Sequence, residues 1–196
     1  NVGNAPPTWT PYVNTIATFL TRRCFEQLVV DLGMHNANVR LIANGGGLVY
    51  APLGPTHEAF DDMAILRAIP NMAIVACADA DEMDRFMPQT LDHQGPIYIR
   101  LGKGYDPIVT NDDVPFRIGK AIPMREGTDA LIVTTGVTLR HSLEAADALA
   151  VSVQQAGKLL TSQEILRQYD RYNASETADA DTQAVLGQVL DIFEAK

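Results

Sequence analysis

Gly54-Pro55-Thr56-His57-Glu58 leads directly into Ala59-Phe60-Asp61-Asp62-Met63-Ala64-Ile65-Leu66-Arg67-Ala68-Ile69-Pro70-Asn71-Met72, and the rest of the chain is arranged around this stretch. Gly-Pro is a turn dipeptide, and Thr56 is a residue type suited to cap a helix. The apolar spacing that follows predicts an amphipathic helix stopped by Pro70-Asn71. The expectation is a loop-to-helix junction with the imidazole of His57 at the helix mouth. A helix start presents unpaired N–H groups and a partial positive charge, which suit an oxygen-rich ligand.

Outward from this junction, short apolar runs alternate with helical patterns. Residues 11–17 read as a strand and 19–35 as a helix with Phe25, Leu28, Val29 and Leu32 on one face. A buried strand is expected at 39–43, then a flexible loop through Gly45-Gly46-Gly47 and residues 48–53. A strand follows at 73–77. Asp79 with Glu82 three residues on forms a capping box for the next helix, and Pro88 shortens it. Residues 97–101 are the last strand of the set. This alternation predicts an α/β fold, a doubly wound, mostly parallel sheet covered on both faces. Ligands of such sheets bind beyond the carboxyl ends of the strands. Phe19, the 45–57 segment and the 100–103 segment all follow strands, so they are expected to converge on that edge.

Residues 104–116 are polar and turn-rich. The expected layout is one domain over 1–108, a linker over 109–116, and part of a second α/β domain over 117–196. Strands are predicted at 117–124 and 130–135, then a helix from Gly136 through Ala150 with Leu139, Leu143 and Ala146 inside. At 150/151 the pattern breaks and the second domain reads as incomplete, with too few strands for a stable sheet. Residues 182–195 read as a final helix with Val185, Leu186, Val189, Leu190 and Phe193 inward.

The 196 residues are 46% hydrophobic and carry a formal charge of -9 with a pI near 4.8. No basic patch stands out, so nucleic acid is not an expected partner. The two cysteines, Cys24 and Cys77, lie among apolar neighbours without metal-ligand spacing and read as buried thiols of a reducing compartment. No apolar run is long enough to cross a membrane and no secretion signal is evident, which makes the cytoplasm the expected location. The first residue is not Met, so the native start is expected upstream.

Gly54-Pro55-Thr56-His57, followed by a helix ending Leu66-Arg67-Ala68-Ile69-Pro70-Asn71-Met72, resembles the pyrimidine-binding domain of transketolases. It is especially similar to the separate C-terminal subunit of two-subunit bacterial transketolases, and deoxyxylulose-phosphate synthases share the architecture. The resemblance covers roughly residues 9 to 150; residues 162–169 also look like that family's terminal tail. It implies thiamine diphosphate and Mg²⁺ as cofactors. The family holds the diphosphate and metal through another domain with a Gly-Asp-Gly motif and a distant Asn, and nothing in this chain matches that. A diphosphate-binding transketolase subunit is therefore the expected partner, in a heterotetramer or larger assembly with the active site at the interface.

The resemblance also distributes roles. Read alone, His57 is a surface or capping histidine; by resemblance it lies beside the thiazolium and contacts a substrate oxygen. Phe19 matches the aromatic that stacks on the aminopyrimidine. Phe25, a core residue on its own reading, would extend that wall. Arg22, one turn after Phe19, would add a cation near the cofactor and substrate. Lys103 stands in place of an Arg that holds the substrate's terminal phosphate, a change that would suit another anionic end group such as a sulfonate. Arg100 belongs to the same segment, and both cations are expected to be exposed.

Three departures qualify the match. Leu53 replaces an Asp that reads a sugar hydroxyl, Gly45 replaces a His, and the Glu that activates the cofactor is absent and expected just upstream of Asn1. Three functions remain open: a transketolase subunit moving a two-carbon ketol unit from a ketose to an aldehyde, a deoxyxylulose-phosphate synthase-like carboligase using pyruvate, and a non-catalytic partner subunit. Phe19-Leu20-Thr21-Arg22 leans to the second; Pro96-Ile97-Tyr98-Ile99-Arg100-Leu101-Gly102 leans to the first. A β subunit of a 2-oxoacid dehydrogenase fits the Gly-Pro-Thr-His block less well.

Overall fold

The computed structural model describes residues 9–113, 115–127 and 130–156. The readings made above for residues 162–169 and 182–195 lie outside these. The chain divides into two compact units, Asn1–Glu144 and Ala145–Lys196.

Four strands, β1 (Tyr12–Ile16), β2 (Arg40–Asn44), β3 (Ala73–Ala76) and β4 (Ile97–Arg100), form one parallel sheet in the order β1-β2-β4-β3. The first two connections advance across the sheet in one direction and the third reverses. With right-handed crossovers, the first two must cover one face and the third the other. The packing follows this rule. On one face Leu28, Leu66 and Ile69 pack on Leu41, Ala43 and Tyr98; on the other Phe86 packs on Val75, Ile97 and Ile99. Successive residues of β2, β3 and β4 alternate between these clusters, as pleating requires. Ile97, Tyr98 and Ile99 are fully buried, which explains the unbroken apolar run of a strand covered on both sides.

The helices are less regular than the sequence pattern. The segment predicted as one helix over 19–35 is two 3₁₀ turns, Ala17–Leu20 and Arg22–Cys24, then α1 (Phe25–Gln27), which continues as a π-helical stretch, Leu28–Gly33. Phe25 packs against the first core cluster. On that same face α2 (Asp62–Leu66) is only five residues long. On the opposite face α3 (Ala80–Phe86) and α4 (Gln89–Asp92) are separated by Met87 and Pro88, where a break was expected. Asp79 caps α3 by accepting from the Glu82 N–H at 2.9 Å, while Glu82 accepts from the Ala78 N–H at 2.6 Å. The expected capping box therefore forms, with the return bond one residue earlier than in the usual pattern.

Arg40 is a fully buried cation. Its guanidinium donates to Thr90 O, His93 O and Gly95 O at 2.6 to 2.8 Å, so it collects carbonyls around the end of α4. Burial lowers its pKa from the ordinary arginine value, with Tyr12 opposing the shift.

The 109–118 segment is tied to the second face of the sheet. Val109 and Thr110 donate backbone N–H groups to Asp79 at 2.8 and 2.7 Å, Arg85 pairs with Asp112 at 2.9 Å, and Phe116 meets the Phe86 ring at 5.3 Å. The strands expected at 117–124 and 130–135 do not form among the described residues. Leu131 and Val133 are 88% and 85% exposed. An apolar run becomes a strand only when a neighbour pairs with its N–H and C=O groups, and no described strand pairs with this one. The helix expected from Gly136 does form, as α5 (Thr138–Ala156), and it crosses position 150/151 without a break. Leu139 is buried, and Leu143 and Ala146 are half-buried.

Candidate functional site

Because all four strands run in parallel, the turns that follow them share one edge of the sheet. After β1, Ala17, Thr18 and Leu20 point into the core and leave Phe19 half-buried. The Thr21 hydroxyl donates to Ala17 O at 2.8 Å and the Cys24 thiol to Phe19 O at 3.3 Å, fixing the turn. The Phe19 ring meets the His57 imidazole edge-on, with centroids 5.2 Å apart and planes at 64°. His57 Nδ1 shares a 2.9 Å hydrogen bond with the Thr56 hydroxyl. That bond occupies one ring nitrogen and leaves Nε2 as the atom able to serve a ligand.

His57 does not sit at a helix mouth. Gly54 at φ +80° and Pro55 make the turn, but Gly47 and Ala59 then pair as an antiparallel bridge. The bridge holds the chain extended past His57, so α2 cannot begin before Asp62, five residues on. Thr56 bonds to its neighbour's ring rather than to a helix N–H group.

The glycine run that was expected to be flexible is closely packed. A Cβ on Gly45, whose φ is +74°, would fall 2.1 Å from the Tyr50 ring, and one on Gly46 would fall 2.6 Å from the Arg100 guanidinium. Gly45 and Gly46 also donate to Gly102 O and Leu101 O at 3.2 and 3.0 Å, joining the turns after β2 and β4.

Arg100 departs from the expected exposure. Its side chain is 20% exposed and its Nε donates to Asp62 Oδ2 at 2.8 Å. Its Nη2 donates to Ala59 O at 3.2 Å. The Tyr98 hydroxyl donates to the same Asp62 oxygen at 2.8 Å, and burial beside that carboxylate pushes the tyrosine pKa far up. Asp62, itself 1% exposed, is thus the hub that joins β4, α2 and the loop before α2. Lys103 is exposed, as expected.

Arg22 lies with its guanidinium on the His57 loop. It donates to Pro55 O at 3.2 Å and to Glu58 O, faces Asp61 Oδ1 at 3.5 Å, and stacks 5.5 Å from the Phe60 centroid. Arg23, which the sequence did not single out, donates to Thr56 O at 3.4 Å and lies 3.8 Å over Phe19. Phe19, His57 and Arg22 are therefore together, and Arg100 adjoins them through Ala59. Phe25 is partly buried against the first core cluster, as its own reading in the sequence expects. Asp62 and Arg23 were missed; the only signal for them was the paired spelling, Asp61-Asp62 and Arg22-Arg23.

Among the described residues, no group of three or more His, Cys, Asp or Glu side chains is placed to hold a metal ion. Two surface hollows, one beside Arg85, Thr110 and Ile122 and one beside Gln89, His93 and Phe116, contain none of the candidate residues above.

Residues 3–105 match the family model of the transketolase pyrimidine-binding domain. An apulose-4-phosphate transketolase subunit of Phocaeicola vulgatus is 37% identical over 130 residues, 66% of this chain and 42% of that protein. The 1-deoxy-D-xylulose-5-phosphate synthase of Synechococcus sp. (strain WH7803) is 37% identical over 143 residues, 71% of this chain and 22% of that protein. A solved structure described as a split gene transketolase, inactive beta4 tetramer, aligns with a TM-score of 0.65 at 31% identity, covering 73% of this chain and 46% of that one. The chain spans less than half the length of these relatives.

Proposed function

This chain belongs to the transketolase family through its pyrimidine-binding domain, and on that premise we propose that it is the pyrimidine-binding subunit of a thiamine-diphosphate-dependent transketolase. The observation that carries the reading is the Phe19–His57 pair, held edge to face at the carboxyl edge of a parallel sheet. An aminopyrimidine needs a flat apolar surface with a polar rim, and the half-buried Phe19 with His57 beside it fits that need. Thiamine diphosphate, when bound, supplies the nucleophile and electron sink for moving a two-carbon ketol unit from a ketose to an aldehyde.

This chain's residues bind, orient and exchange protons. Phe19 presents to the pyrimidine the ring face opposite Arg23 and excludes water there. His57, with Nδ1 tied to Thr56, presents Nε2 to a substrate oxygen, where it holds or passes a proton near neutral pH. Lys103 meets the anionic end of the sugar. Arg100 supports the site by fixing Ala59 and Asp62. The diphosphate and Mg²⁺ are assigned to a partner subunit in a hetero-oligomer. The cytoplasm is the location proposed for this assembly. Among the described residues, no helix is long and apolar enough to span a membrane.

The identity to a 1-deoxy-D-xylulose-5-phosphate synthase favours a second reading, a carboligase that uses pyruvate. Calorimetric titration of thiamine diphosphate and Mg²⁺ into the chain, alone and with the partner that co-purifies with it, tests both. Binding only with the partner supports the shared site. Transfer from a ketose then selects the first reading, and pyruvate-dependent CO₂ release the second. Absence of binding in both titrations overturns them and leaves a non-catalytic partner.

A further inference from the structure

The loop around His57 has little internal bonding to fix it. Its own backbone bond is His57 N–H to Gly54 O at 2.9 Å. Three of its carbonyls instead accept from two consecutive arginines: Pro55 O and Glu58 O from Arg22, and Thr56 O from Arg23. Both arginines belong to the 3₁₀ turn that closely follows Phe19. Arg22 reaches the loop on either side of His57, with Asp61 and Phe60 completing its surroundings. Arg23 reaches between those two points and covers the Phe19 ring. A planar fork with five donors can bridge separated carbonyls, which a single ammonium cannot.

We infer that Arg22, supported by Arg23, is a positioning residue that clamps the His57 loop to the Phe19 turn, so that ring and imidazole are set relative to each other by one piece of chain. This differs from a cation that meets substrate, because the Arg22 guanidinium already has two carbonyls, a carboxylate and an aromatic ring around it. Its side chain is 34% exposed, so no single contact is strong. The effect lies in several contacts converging on one rigid plane. The clamp stands on this chain's geometry alone; its consequence for turnover rests on the proposal that His57 faces the substrate.

The test uses the full chain with Arg22→Ala and Arg22→Lys. Hydrogen exchange of peptides covering 54–60 is expected to rise about five- to tenfold in both variants, with β2 and β4 unchanged. Added methylguanidine should reverse the rise in Arg22→Ala. Arg22→Lys keeps the charge and the stem, so it gives the answer even if the alanine variant folds poorly. Unchanged exchange at 54–60 in both variants overturns the clamp. In the assembly with its partner, kcat should fall roughly ten- to a hundredfold with KM for the ketose little altered. A raised KM at unchanged kcat makes Arg22 a substrate cation and also overturns the proposal. If the unaltered assembly transfers no ketol unit, the functional reading fails, and the exchange measurement still decides the clamp.

Discussion

Asp62 and Arg100 are expected to be energetically coupled, and a double-mutant cycle with Asp62→Asn and Arg100→Gln measures by how much. The separation of 2.8 Å at an effective dielectric of about 20 gives roughly 6 kcal/mol of gross attraction. Burying Asp62 to 1% exposure takes back several kcal/mol of that, and the 20% exposure of Arg100 lets solvent screen the remainder. A coupling of about 2 kcal/mol is left. Asp62→Asn keeps an oxygen for the Tyr98 hydroxyl but removes the charge facing Arg100, so it should cost about 2–3 kcal/mol. Arg100→Gln also frees Ala59 O and should cost about 2 kcal/mol. The double variant should then be less destabilised than the sum of the singles by about the coupling energy. Urea unfolding followed by circular dichroism supplies all four stabilities, with comparison valid where the m-values agree. A coupling below about 0.5 kcal/mol would refute the hub described for Asp62.

Arg40→Met leaves the Thr90, His93 and Gly95 carbonyls buried without their donor and should cost about 3–5 kcal/mol, read by the same unfolding assay. Burial pushes the Asp79 carboxyl up, but hydrogen bonds from Glu82, Val109 and Thr110 outweigh it, and the folded pKa lies below the ordinary 3.8. The stability Asp79 contributes is therefore complete above that value and is lost as pH falls through the lower folded one. Asp79→Asn should destabilise at pH 7, with the difference from the native chain shrinking in acid; a gap independent of pH refutes this. Burial, with Glu82 and Asp79 adding to it, pushes the Cys77 thiol to about 12. At pH 8 its thiolate fraction is on the order of one in ten thousand, so iodoacetamide should reach Cys77 only after denaturation, as peptide mass mapping would show.

The sheet was legible in the sequence because each of its strands declares itself locally. Ile97-Tyr98-Ile99 is apolar without interruption, the composition of a strand covered on both faces. The reversal of the third connection was not legible, because order within a sheet is decided by which helix covers which face. Residues 130–135 show the limit of the same rule. Ala130-Leu131-Ile132-Val133 carries as strong a strand pattern as β3, yet Leu131 and Val133 stand exposed. Composition states what a segment can pair with, and the pairing itself requires a neighbour.

The site shows the same limit more sharply. Phe19 and His57 come forward only through the family resemblance, since each read alone is a core or surface residue, and the structure puts their rings 5.2 Å apart. Thr56 was misread as a cap because the signal for a cap and the signal for a side-chain partner are the same hydroxyl. What separated them was the Gly47–Ala59 bridge, a contact between two segments of the loop that follows the turn holding His57 and leaves α2 to begin at Asp62. Arg22 reads as a cation for cofactor and substrate, and Arg100 as an exposed one, for the same reason. A guanidinium on a turn looks available until the chain supplies carbonyls and carboxylates to it: here Pro55, Glu58 and Asp61 for one, Ala59 and Asp62 for the other. Both sets of acceptors belong to the single stretch 55–62. That stretch gathers the cations of two different strand ends, so a change anywhere in it should disturb Phe19 and Arg100 together.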